Sequence, residues 1–182
     1  MIVGGSAGSM QPLMTLLKAL PAPFDAAIVV VVHRQRNVHS NLHEIFSQHS
    51  KTPVEEPEDK DPIRNGHIYL APQNYHLLLE KDGNFALEYS EAVCFSRPSI
   101  DVTLQSAVAA GAQKLLAILL SGANLDGAAG ISAVLEAGCQ ALIQSPDTAD
   151  FPAMPGGALI RNPNAPARSI AEISPYLNKF VL

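Results

Sequence analysis

The chain has 182 residues, 47% of them hydrophobic, with a formal net charge of -5. That is enough apolar material for one sizeable core and fits a single domain over residues 1–182. The acidic balance weighs against a nucleic-acid partner, since binding phosphates needs a basic face. No apolar run approaches the roughly 20 residues of a membrane span, and Met1 leads into a strand without the basic segment that opens a signal peptide.

Apolar runs alternate with helical patterns along the chain. Met1–Val3 reads as a short strand, followed by Gly4-Gly5-Ser6-Ala7-Gly8 and then a helix over Pro12–Leu20, where Pro12 suits a first turn. Ala26–Val32 is β-branched and unbroken, the pattern of a strand buried on both faces. Ser40–Ser47 places Leu42, Ile45 and Phe46 on one helical face, and Lys51–Arg64, rich in Pro, Glu and Asp, reads as a surface connection. His67–Leu70, His76–Glu80 and Phe85–Tyr89 are short strands, the last two joined by the hairpin signal Lys81-Asp82-Gly83-Asn84. Ser99 caps a helix from Ile100 toward Ala110, ended by Gly111. A buried strand over Leu115–Leu120, a helix over Gly127–Ala137, a strand over Cys139–Ile143 and helices over Met154–Ile160 and Ile170–Phe180 complete the chain. The alternation implies a three-layer, doubly wound α/β fold with a mostly parallel sheet and an antiparallel edge hairpin. Sites in such sheets collect beyond the carboxyl ends of the strands.

Three of those ends carry chemistry. Gly4, Ser6 and Gly8 fit G-x-S-x-G, the spacing of a serine on a strand-to-helix turn. The second strand runs into His33, and Leu115–Leu120 runs into Ser121-Gly122-Ala123-Asn124-Leu125-Asp126-Gly127. A serine becomes nucleophilic beside a base, and the base needs a third group to fix its tautomer; Ser6, His33 and Asp126 are suited to those roles. Each also has a plainer reading: Ser6 in a tight turn or phosphate cradle, His33 closing a strand, Asp126 capping the helix that follows. The phosphate reading makes the chain a nucleotide-binding module. It lacks support, because the loop is neither G-x-G-x-x-G nor a lysine-bearing P-loop.

Several strings resemble the catalytic domain of the chemotaxis protein-glutamate methylesterases, the CheB-type family. They are Val3–Gly8, Val31-Val32-His33, His67–Pro72 with Tyr75–Leu79, Arg97-Pro98-Ser99-Ile100-Asp101, Leu120-Ser121-Gly122 with Asp126–Gly130, and Met154-Pro155. The resemblance implies that Ser6 is the nucleophile, His33 the general base and acid, and Asp126 the residue orienting His33. Backbone N–H groups of Ala7 and of the Gly122-Ala123 turn would form the oxyanion hole. Arg97 would hold an anionic neighbour of the substrate, and Met154 would line the rim. It further implies hydrolysis of glutamyl methyl esters, with deamidation of glutamines in some members, on cytoplasmic helices of methylated chemoreceptors, without a cofactor and in the cytoplasm. The family commonly has methionine where Ala123 stands and a proline-containing loop where this chain has Arg34-Gln35-Arg36-Asn37. The chain starts at the catalytic strand, so no receiver domain is expected before it. A catalytically idle docking domain of the same fold is the alternative.

Two further sets of residues give plainer expectations. His39, His43 and His49 surround one helix without a carboxylate or cysteine to complete a metal site, and read as solvated side chains. Cys94 and Cys139 form no CxxC and read as small buried hydrophobes.

Overall fold

A computed structural model describes every residue except Arg36, His39 and Leu182. Its elements run β1 (Ile2–Gly5), α1 (Met10–Ala19), β2 (Ile28–Val32), α2 (Leu42–His49), β3 (Val54–Glu55), β4 (Ile68–Leu70), β5 (His76–Leu79), β6 (Phe85–Glu88), α3 (Ile100–Ala109), β7 (Leu116–Leu119), α4 (Ala128–Glu136), β8 (Gln140–Gln144), α5 (Ala153–Arg161), β9 (Ala167–Arg168) and α6 (Ile170–Val181). A single 3-10 turn, Pro146–Thr148, follows β8.

Seven strands form one parallel sheet in the order β3-β4-β2-β1-β7-β8-β9. The chain winds outward from β1 in both directions, so the switch point falls between β1 and β7. Helices cover both faces, which is why β2 can be apolar at all five positions. Its Ile28, Val30 and Val32 face the layer that includes Leu13, Leu16, Phe46 and Ile173 of α1, α2 and α6. Val29 and Val31 face Ile100, Leu104, Ile131 and Met154 of α3, α4 and α5.

The doubly wound fold is the expected one, with local differences. The β5–β6 hairpin is antiparallel but stands as its own two-stranded sheet, not as an edge of the main one. It docks on α3, where Thr103 Oγ1 donates to Leu77 O at 2.8 Å and Leu79 N donates to Ser106 Oγ at 3.0 Å. The sheet edges are instead β3 and β9. Both hide in Pro-rich text, β3 inside the Lys51–Arg64 connection and β9 after Pro163 and Pro166, and two residues are too few to show a period of two. At β1 the strand runs to Gly5, beyond the expected Val3. Gly4 and Gly5 pair with Val31 and Val32, so Ser6 is the first residue past the sheet.

Gly4 is glycine because α3 comes so close. A Cβ there would lie 2.5 Å from Cγ2 of the fully buried Ile100. Gly4→Ala is therefore expected to lower stability by roughly 1–3 kcal/mol through overpacking. A fall in the urea midpoint at unchanged m-value would show it.

Candidate active site

The carboxyl ends of β1, β2 and β7 lie side by side at the switch point, where doubly wound sheets place their ligands. Ser6 leaves β1 with its N–H donated to Ser121 O at 2.9 Å, while its carbonyl accepts from Ser9 N at 3.1 Å and Ser9 Oγ at 2.6 Å. The left-handed residue of the turn is Gly8, with φ of 75°, and Ser6 keeps a negative φ, so glycine and not the serine takes the strained conformation.

His33 occupies the matching position on β2. Gly5 and Val32 are register partners and His33 N donates to Gly5 O at 3.3 Å, so Ser6 and His33 are the next residues on strands about 4.8 Å apart. His33 Nε2 meets Asp126 Oδ2 at 2.7 Å, with 10% of the histidine side chain and none of the aspartate exposed. Ser6 Oγ makes no hydrogen bond among the described residues. The structure thus joins His33 to Asp126 and leaves Ser6 beside them.

Asp126 is held by more than His33. Its Oδ1 accepts from Ser99 Oγ at 2.8 Å, Asp101 N at 3.0 Å and Gly127 N at 3.0 Å, and its Oδ2 accepts from Ile100 N at 2.7 Å. The carboxylate therefore caps α3 from outside that helix, at its positive end. The helix that follows, α4, is instead entered through Gly127. Burial pushes the Asp126 carboxyl up, but the hydrogen bonds from His33, Asp101 and Ile100 outweigh it and hold the group below its usual value. An ionised carboxylate only accepts, so the proton of the pair sits on His33 Nε2, and Nδ1 is the ring nitrogen not engaged by Asp126. Asp101 follows the opposite rule. Its burial, with the nearby Asp126 charge, raises its carboxyl despite a 2.6 Å bond from Gly130 N.

Sequence reasoning did not single out several residues that build this rim. Ser121 is fully buried; its Oγ donates to Ala7 O at 2.8 Å and accepts from Phe151 N at 2.9 Å, clamping the serine turn to the loop before α5. Gln144 Oε1 accepts from Ser121 N at 2.9 Å. His76, also fully buried, accepts from Ser99 N at 3.2 Å through Nδ1, and its Nε2 lies 3.0 Å from Glu91 O, which assigns it a neutral tautomer. A buried serine after a strand has no distinctive pattern, so none of these partnerships could be read from spacing.

The remaining expected site residues are placed as follows. The N–H groups of Ala7 and Ala123 have no acceptor among the described residues. The Gly122 N–H, by contrast, is given to Phe151 O at 3.0 Å. Met154 is fully buried beneath that turn, its N–H bonded to Gly122 O at 2.9 Å, and a Cβ on Gly122 would lie 2.5 Å from its Sδ. Arg97 is buried, with its guanidinium 3.7 Å above the Tyr89 ring and bonded to Ser90 O, which fastens the loop before α3. The loop after His33 is tied by the Arg34–Glu56 ion pair at 2.7 Å and by a bond from Gln73 Nε2 to Val38 O at 3.1 Å. His43 is exposed, His49 Nδ1 lies 2.8 Å from Ile45 O, and His39 is outside the described residues. Both cysteines are free, and each is only partly buried, not fully buried as expected.

The space at this rim is shallow. A recess of about 270 Å³ lies beside His33, lined by Arg34, Gln35, Val38, Ser40 and Leu42. A larger one, about 660 Å³, opens around Met1, Ala27 and Leu115 at the amino ends of the strands, away from these groups. Among the described residues, no helix is long and apolar enough to cross a membrane.

A sheet wound both ways from β1, with a serine turn and a histidine–aspartate pair at its carboxyl rim, defines a doubly wound α/β domain of the kind that carries enzyme sites there. The family described as CheB methylesterase matches residues 1–177, and the chain belongs to it. A relative from Leptospira interrogans, provisionally named a protein-glutamate methylesterase/protein-glutamine glutaminase, is 39% identical over 158 residues, covering 87% of this chain and 82% of that protein. Protein-glutamate methylesterase/protein-glutamine glutaminase 2 of Pseudomonas syringae is 33% identical over 175 residues, covering 96% of this chain and 52% of that one. The crystal structure of the Thermotoga maritima CheB methylesterase catalytic domain superposes with a TM-score of 0.91 at 28% identity, over 99% of this chain and 97% of that one.

Proposed function

We propose that this domain is a serine hydrolase that cleaves glutamyl methyl esters, and deamidates glutamine side chains, on the cytoplasmic helices of chemoreceptors. The observation that carries the reading is the 2.7 Å bond between His33 and a buried Asp126, one strand away from Ser6. Family membership supports the substrate class, and a cytoplasmic reaction goes with the receptor helices proposed as its substrate.

Ser6 Oγ attacks the ester carbonyl and passes its proton to His33 Nδ1. The imidazolium that forms is stabilised by Asp126, which stays ionised. The tetrahedral oxyanion is received by the Ala7 and Ala123 N–H groups, each such donor being worth about 3 kcal/mol in the transition state. Collapse breaks the C–O bond, and methanol leaves with the proton from His33. Water then attacks the acyl-enzyme with His33 again as base, releasing the glutamate side chain and restoring the Ser6 hydroxyl. With a glutamine substrate the same course releases ammonia. The Ala123 donor is a backbone group, so a different side chain at that position leaves it available.

The reading is tested by methanol release from methylated receptor fragments together with a fluorophosphonate probe. The wild-type chain is expected to release methanol and to be labelled at Ser6, and Ser6→Ala to do neither. Labelling elsewhere, or no methanol from several receptors with correctly folded protein, would overturn it.

A further inference from the structure

We propose that Phe95 is an anchor for the protein substrate, held out by a strained turn above Asp126. This rests on the esterase reading and adds the surface that seats the protein carrying the ester.

Val93 and Ser96 exchange both backbone hydrogen bonds, at 3.1 and 2.9 Å, so Cys94 and Phe95 are the central pair of a tight turn. Both have positive φ, 48° and 65°. A turn of this kind is usually built from Asn-Gly, because side chains, bulky ones most of all, resist the left-handed region. The strained pair is fastened at the site. Asn124 Nδ2 donates to Cys94 O at 2.9 Å, and Cys94 Sγ and carboxylate oxygens of Asp101 and Asp126 all lie within 4.8 Å of one another. Arg97, bonded to Ser90 O and stacked on Tyr89, braces the same loop.

The Phe95 side chain does nothing for the core, being 98% exposed. A conformational cost that packing does not return, beside reacting groups, points to function. Phe95 also has company on the loops of the rim. Leu125 adjoins Asp126 and is 59% exposed; Phe151, whose ring would meet a Cβ on Gly8 at 3.0 Å, is 45% exposed. The exposed Ala123 lies on the loop between the groups that these two flank. The occupant that fits is a protein segment whose aliphatic or aromatic side chains flank the glutamyl ester. The ester carbonyl reaches Ser6 while the flanking groups cover Phe95 and Leu125. Exposed aromatic anchors of this kind carry a large share of protein–protein affinity.

The test uses the full chain and two variants, Phe95→Ser and Phe95→Gly, the second of which suits a positive φ. In a Ser6→Ala background, affinity for a methylated receptor fragment is expected to fall about tenfold or more in both variants. With Ser6 intact, KM is expected to rise to match while kcat holds, and Phe95→Gly should melt no lower than the parent. Unchanged affinity in both variants, or a parent that does not bind the fragment, overturns the proposal. A parent that binds through Phe95 but releases no methanol would leave it standing and overturn the esterase reading instead.

Discussion

His33→Ala is expected to lower kcat for methyl-ester hydrolysis by roughly ten-thousand- to million-fold, and also to lower the melting temperature. The size of the effect follows from what the ring does. Without it no group takes the Ser6 proton, and a neutral hydroxyl is a poor nucleophile at neutral pH. The loss of stability follows from the local geometry. The imidazole is only 10% exposed and donates to a buried carboxylate, so its removal takes a donor from Asp126, whose Oδ2 keeps only the Ile100 N–H. Residual turnover would report the oxyanion donors of Ala7 and Ala123 acting alone. Stopped methanol assays and probe labelling of Ser6 should fall together, since both need the serine activated. A loss below tenfold would mean that another group serves as base and that the His33–Asp126 pair is structural.

That pairing was partly legible before any coordinates. Residue types at strand ends located Ser6, His33 and Asp126, because a doubly wound sheet brings the carboxyl ends of consecutive strands to one rim. The apolar run of β2 declared burial on both faces. What spacing could not show is which groups hold Asp126. It has two readings that can coexist, orienter of a histidine and cap of the following helix; the carboxylate meets His33 but caps α3 and not the helix next to it in sequence. That helix lies 25 residues earlier in the chain, so no local pattern links them. The clamp at Ser121 is hidden for the same reason, since its partners are Ala7 and Phe151. The two edge strands escaped because their pairing comes from the neighbouring strand and not from their own composition. Phe95 escaped because a Cys-Phe pair carries no turn signal; only its backbone angles reveal the turn.

Asp126→Asn is the substitution expected to damage fold and chemistry together. An amide offers one acceptor oxygen and one NH2 group where the carboxylate offers two oxygens. If the NH2 replaces Oδ1, it confronts Ser99 Oγ and the N–H groups of Asp101 and Gly127; if it replaces Oδ2, it confronts the Ile100 N–H and His33 Nε2. Either way buried donors lose their acceptor, at a cost of about 2–4 kcal/mol. His33 relieves the clash on its side only by moving its proton to Nδ1, which removes the lone pair that Ser6 needs, so kcat is expected to fall roughly ten-thousand-fold. The pH dependence distinguishes this from simple loosening. Asp126 is held below its ordinary value in the folded chain, so its contribution to stability is complete above about pH 4 and is lost as pH falls further. Asp101 is raised, so its contribution has the opposite sense, present in acid and lost as pH rises through its folded value. Since the Asp126 charge is one cause of that rise, the asparagine variant should show both a flatter loss of stability in acid and a smaller Asp101 cost near neutrality. Melting temperatures from pH 3 to 7 would test this. A variant that keeps the wild-type acid slope would show that the α3 terminus does not depend on this carboxylate for its charge balance. A melting temperature that stays level at neutral pH while kcat collapses would make Asp126 a residue of chemistry alone.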